Sequence, residues 1–191
     1  MLLAIFNSGC SVFGIRTYEM TKYELIFDEA NKEIRYYNSY IVAKTTVKGE
    51  FKEAQGAAFR ILAGYIFGDN EKKQKIAMTA PVIQRPSEEG WVMSFMMPSV
   101  YKMEDLPTPK DKRIRFETVP ARHVAVIRYT WIGNESRNER KANELQKWIA
   151  SLKGYEPISP PIYAGYDPPW TLPFLRRNEM MIEVKKKQER P

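Results

Sequence analysis

The chain holds one cysteine and one histidine in 191 residues, and each scarcity removes a class of chemistry. A disulfide framework, a structural zinc site and a Cys/His catalytic pair all need more partners than Cys10 and His123 supply. A Ser/His/Asp hydrolase would have to rely on His123, and no Gly-x-Ser-x-Gly elbow accompanies it. Paired carboxylates at motif spacing are missing too, so Glu53 or Tyr65 would have to serve as acid or base in an enzyme acting on a small amphiphile. The expectation is a protein that is not an enzyme. No apolar run approaches the roughly 20 residues that span a bilayer. The formal charge of +7 is spread along the chain, concentrated only at Lys185-Lys186-Lys187, and no nucleic-acid-binding motif is present. Nucleic acid is therefore not an expected partner, whereas an acidic ligand or a negatively charged membrane surface suits the charge.

What is present suffices for a folded core. Hydrophobic residues make up 43% and charged residues 28%, so one domain or two small fused halves can bury a core without cross-links. At the start, Leu2 to Phe6 form a short apolar patch leading to Ser8-Gly9-Cys10, which resembles the cleavage and lipid-attachment box of bacterial lipoproteins. On that reading Cys10 carries a lipid that tethers the protein to the membrane of a bacterial cell envelope. The other reading is an ordinary N-terminus with a free thiol and a cytoplasmic protein. Either way residues 1–17 form a separate N-terminal segment, and 18–191 are expected to form a single domain, as a monomer.

Periodicity shows the same order of elements twice, in pseudo-repeats of about 23–100 and 113–187. The first has strands at Ile34–Tyr37 and Ile41–Val47 and a helix over Phe51–Ile66, whose apolar stripe is Phe51, Ala54, Ala58, Ile61, Leu62 and Tyr65. Gly68 and Asn70 end that helix, and strands Met78–Ile83 and Trp91–Met97 follow. The second has strands at Ile114–Phe116 and Arg122–Trp131, then a helix from about Ser136 to Leu152 with Ser136 as its cap. Strands Ile162–Tyr166 and Glu179–Val184 complete it, and Met103–Lys112 reads as a linker between the halves. Neither half can bury its apolar sheet face alone. The expected fold is α+β: duplicated βαββ units forming a twisted antiparallel sheet or distorted barrel with two flanking helices.

Between the last two strands, Pro168, Pro169 and Pro173 fix the backbone of a segment that cannot be helix. It reads as a rigid lid or edge, with Tyr166, Trp170 and Phe174 as one wall of an apolar cavity, or as a stapled loop packed on the body. Small residues Gly56, Ala57, Ala63 and Gly64 on the first helix allow close approach, either of the sheet or of a flat ligand, and each glycine costs about 1 kcal/mol relative to alanine there.

These motifs resemble those of the SOUL heme-binding protein family. Lys75-Ile-Ala-Met-Thr-Ala-Pro-Val82 is similar to its central strand, Met93-Ser-Phe-Met-Met-Pro-Ser99 to the strand after it, and Ala164-Gly-Tyr-Asp-Pro-Pro169 with Arg176-Arg-Asn-Glu179 to its C-terminal signature. The resemblance runs from about Tyr18 to Lys185. It implies a duplicated βαββ fold like the effector-binding domains of some bacterial regulators. It also implies binding of heme or a related tetrapyrrole between the first helix and the Tyr166–Arg177 loop, for buffering or delivery. Gly56, Phe59, Arg60, Ala63, Gly64, Tyr65, Tyr166, Trp170 and Arg176 are the cofactor-binding candidates it points to. The alternative is an effector-sensing or protein-interaction module that takes another hydrophobic ligand or a peptide in the same cleft.

Two departures from the family stand out. Some animal members are described as using a histidine near the start of the fold to ligate iron, and this chain has none before His123. Members without a ligand place basic residues on the first helix, where this chain has Gly56 and Gly64, leaving Arg60 beyond Lys52. His123 alternates with Ala125, Ile127 and Tyr129, which suits a packed residue better than an iron ligand, and Met78, Met93, Met96 and Met97 suit core filling. Tyr65 and Tyr166 are phenolate or stacking candidates, or buried rings with bonded hydroxyls. Arg176 and Arg177 can clamp a carboxylate ligand, or pair with Asp167 and Glu179.

Overall fold

The computed structural model describes residues 18–187. Cys10 and the lipid attachment expected there lie outside the described residues. In chain order the elements are β1 (Glu19–Met20), β2 (Glu24–Glu29), β3 (Lys32–Tyr37), β4 (Tyr40–Val47), α1 (Phe51–Ile66), β5 (Thr79–Ala80), β6 (Val82–Ser87), β7 (Gly90–Met96), β8 (Arg115–Val119), β9 (Arg122–Tyr129), α2 (Glu135–Ser151), β10 (Tyr155–Pro157), β11 (Ile162–Gly165) and β12 (Asn178–Lys186). Short 3-10 turns occupy Met103–Asp105 and Pro173–Leu175.

The expected α+β architecture is present, as an open sheet rather than a closed barrel. Strands pair antiparallel in the order β2-β3-β9-β12-β11-β6-β7-β4-β8, with β10 also on β12. Reading outward from the β11–β6 seam, β12, β9 and β3 on one side answer β7, β4 and β8 on the other. The two halves are thus related by a pseudo-twofold, and each has handed its opening strand to its partner. β3 of the first half pairs with β9 of the second, and β8 of the second pairs with β4 of the first. Strand β2 is an addition that hairpins onto β3 at the edge.

Each helix covers its own half of one sheet face. Ala58, Leu62, Tyr65 and Ile66 of α1 pack with Ala43 of β4 and Met93 and Phe95 of β7. Ala142, Leu145, Trp148 and Ile149 of α2 pack with Ala125 and Ile127 of β9 and Met180 and Ile182 of β12. The alternation of β9 sends Val124 and Val126 to the opposite face, where they meet Tyr37, Ile162, Ala164, Tyr166 and Met181.

Helix α1 has the bounds that its stripe predicts, and Gly68 at φ +110° follows its end. Asn70 is buried there and donates to the carbonyls of Tyr65 at 3.1 Å and Gln74 at 2.7 Å. The cap of α2 is Asn134 rather than Ser136. Asn134 is extended and its side chain accepts the Arg137 amide at 2.9 Å, whereas Ser136 already lies inside the helix. The strand expected over Met78–Ile83 divides into β5 and β6 around a cis Ala80–Pro81 bond, and β5 pairs with β1.

Candidate ligand site

The outer flank of α1 borders a hollow of about 370 Å³, lined by Ala57, Arg60, Ile61, Gly64 and Tyr65 with Asp69, Asp111, Arg113 and Ile114. Its second wall is the end of the segment read from sequence as a linker, Met103–Lys112, together with Arg113 and Ile114 just beyond it. That segment is docked across the end of α1 by specific bonds. The Tyr65 hydroxyl donates to the Pro107 carbonyl at 3.0 Å, the Glu71 amide donates to the Thr108 carbonyl at 3.0 Å, and Lys110 pairs with Asp69 at 3.3 Å. Leu106 and Ile114, buried under it, belong to the same core as α1. No helix or strand period marks the linker residues 103–112, which is why sequence reasoning missed them as a wall; Ile114 was read as the start of a strand, and the apolar Leu106 amid charges was the available signal.

Helical spacing divides the α1 candidates between two flanks. Arg60, Gly64 and Tyr65 line the hollow, while Phe59 turns toward β7, its ring 5.4 Å from that of Phe95. Neither helix glycine is needed for packing. A Cβ at Gly64 would lie 3.9 Å from the Asp69 Cβ, and one at Gly56 would lie 3.9 Å from an Arg60 guanidinium nitrogen, both ordinary contacts. The close helix-to-sheet packing that would ordinarily account for them is absent.

At the hollow the polar groups differ in their commitments. Arg113 is held by Asp111, with contacts of 2.6 to 3.2 Å, and that guanidinium hydrogen bond holds the Asp111 carboxyl below its ordinary value. Arg60 is exposed and makes no ion pair among the described residues. Burial pushes the Tyr65 hydroxyl far up, so it stays protonated, and its proton is already given to Pro107. The lining contains no histidine, methionine or cysteine. No cluster of three metal-ligating side chains occurs among the described residues.

The C-terminal candidates lie elsewhere. Tyr166 is buried on the sheet face away from the helices, where its hydroxyl donates to Glu179 at 2.7 Å. Glu179 anchors the ion network there. It accepts from Arg35 at 2.8 and 3.0 Å and from Arg177 at 2.6 and 2.9 Å, and Arg35 reaches Glu33 at 2.6 Å and Tyr37 at 3.0 Å. Side chains of Arg35 and Glu179 are both fully buried. Burial alone would raise the Glu179 carboxyl, but the Arg35 hydrogen bonds and charge, with Arg177 and Tyr166, outweigh it and hold the group below its ordinary value.

Arg176 holds its own loop, donating to the carbonyls of Thr171 at 2.8 Å and of Pro169. Asp167 accepts the Arg177 amide at 2.6 Å, so the proline segment is stapled to the body. Trp170 and Phe174 point outward, 62% and 54% exposed. His123 lies on the α2 side of β9 with its ring 5.0 Å from Tyr36, and burial followed by the charge of Lys186 lowers its pKa.

No curated protein matches the sequence. Among solved structures the chain is similar to the C-terminal domain of EcmrR, with 13% identity and a TM-score of 0.62 over 86% of this chain and 99% of that one. It is also similar to EcmrR in a DNA complex, with 13% identity and a TM-score of 0.61 over 82% and 57% of the two chains. A structure described as a hydrolase from Listeria innocua shares 10% identity, with a TM-score of 0.57 over 84% and 94%. At such identities the likeness shows the fold alone. The model of the SOUL heme-binding protein family matches residues 18–183, nearly the whole described fold, and the chain belongs to that family.

Proposed function

We propose that the protein binds heme or a related tetrapyrrole without covalent attachment and without catalysing a reaction, in the hollow between α1 and the 107–114 segment. The observation that carries this reading is the opening beside Gly64, kept by a residue that the helix does not need for its own packing. Ala57, Ile61, Gly64 and Ile114 offer an apolar floor, and Arg60 stands ready for a carboxylate. Heme would bring a flat apolar ring with two carboxylates and an iron centre. The residues present fit the ring and the carboxylates and provide no ligand for the iron. Gly56 borders Arg60 and Phe59 extends the apolar surface around the helix, while Ala63 is buried and does not line the hollow.

Burying about 200 Å² of apolar ring at roughly 25 cal/mol per Å² yields about 5 kcal/mol before association costs. Affinity is then weak and exchange fast, which suits buffering or delivery. Titration of hemin into the full chain, followed by Soret absorbance and tryptophan fluorescence, is expected to saturate, and Gly64→Trp is expected to abolish it. Iron-free protoporphyrin should bind within about tenfold of hemin, since no axial bond distinguishes them. Absence of saturation overturns the reading, and a much larger preference for hemin refutes binding without a ligand. Equal saturation by chemically unrelated amphiphiles would favour the effector-sensing alternative.

A further inference from the structure

We propose that the end of the sheet where β9 leaves and β12 begins docks on a lipid bilayer carrying anionic headgroups. Two loops emerge together there, because Tyr129 at the end of β9 pairs with Asn178 at the start of β12. They are joined to each other. The Trp131 amide donates to the Pro173 carbonyl at 2.9 Å, and the Asn178 side chain donates to the Trp131 carbonyl at 2.6 Å. From this joint stand Trp131, Ile132, Trp170, Leu172 and Phe174, all exposed. Trp131 is 53% exposed at φ +76°, a backbone region that a bulky residue adopts only when its surroundings impose it. Two tryptophans among five apolar side chains on a rigid tip is the composition that settles at headgroup depth.

Charge on the same end complements an acidic surface. A second hollow, of about 450 Å³, is lined by Arg128, Arg137, Arg140 and Lys141 with Trp131, Tyr129, Thr130 and Asn31, and no carboxylate lines it. Arg128 is paired with Glu33 at 2.8 Å and Lys141 with Glu144 at 2.6 Å; Arg137 bonds to the Ile132 carbonyl. Among the described residues, the positive charge of this hollow without an acidic partner is therefore that of Arg137 and Arg140. Glu135 and Glu139 lie on the opposite side of α2 by helical spacing. Apolar tip and basic hollow share Trp131, so a bilayer that takes one meets the other. A soluble anion would use the hollow but would leave the tip in water, which is why the lipid surface accounts for more of the structure.

The test uses the full chain carrying Cys10→Ser, so that no attached lipid contributes, in co-sedimentation with phosphatidylcholine vesicles with or without an equal part of phosphatidylglycerol. Binding with a blue shift of tryptophan emission is expected on the mixed vesicles only, weakening as salt rises. Arg137→Gln with Arg140→Gln should weaken it about twenty- to thirtyfold. Trp170→Ser with Phe174→Ser, surface changes whose folding is checked by circular dichroism, should abolish the shift. No binding, equal binding to neutral vesicles, indifference to both double variants, or full competition by inorganic phosphate each overturns the proposal.

Discussion

Arg35→Met tests the account of the buried ion network. The substitution leaves Glu179 charged and without its bidentate partner in a place where both side chains have no exposure. Removing one member of a buried pair costs about 3–5 kcal/mol. Arg177 at 2.6 Å and Tyr166 at 2.7 Å remain on the carboxylate, so the lower end applies, about 3 kcal/mol. For a chain of this size that lowers the melting temperature by roughly 6–12 °C. The pH dependence has a definite sign. In the wild type the carboxyl is held below its ordinary value of 4.5, so its stabilisation is complete above that value and lost as pH falls through the lower folded value. Without Arg35 burial dominates, the carboxyl rises, and the variant's deficit shrinks as the medium is acidified. Urea unfolding followed by circular dichroism at neutral pH and at about pH 4 measures both effects. A deficit under about 1 kcal/mol, or one that does not change with pH, refutes the reasoning. The companion Arg35→Met/Glu179→Met variant should recover only part of that loss, because it removes the stranded carboxylate but leaves Arg177, whose side chain is 19% exposed, without its acidic partner.

Gly90→Ala should destabilise by about 2–3 kcal/mol in urea unfolding, since its Cβ would sit 2.4 Å from the Val47 carbonyl oxygen at φ +130°. Gly64→Ala should do the reverse, raising stability by up to about 1 kcal/mol while weakening hemin in the same titration; a stability loss would show that the helix needs this glycine after all. Asn134→Ala should cost about 1 kcal/mol through loss of the α2 cap, whereas Ser136→Ala should change little in the same unfolding assay.

Elements with a strong period were legible. The Phe51–Ile66 stripe gives both ends of α1 because spacing of three and four residues has one structural solution, and the inner strands fall within a few residues of their expected places. Strand β2 was not legible, for Glu24–Glu29 is exposed throughout and so carries no alternation of buried and solvent positions. The break at Pro81 was visible as a proline and still read through, since the strand residues on either side of it continue the pattern. At the candidate site, the residues of α1 were readable because one helix places them. The opposing wall was not, because contacts such as Tyr65 with Pro107 depend on where a segment without periodicity comes to rest. Tyr166 was recognisable as special, and its role as a hydroxyl donor to Glu179 depends on the pairing of β11 with β12, which the local sequence does not encode.

The exchange of opening strands bears on how the chain is made. β3 finds its inner neighbour only when β9, some ninety residues later, has left the ribosome, so the first half emerges with a vacancy beside it that lasts until then. The β2 hairpin covers one side of β3 during that interval and leaves the other waiting. Cutting the gene between the halves would therefore yield two fragments that each lack a strand, able to regain the native sheet only by finding one another.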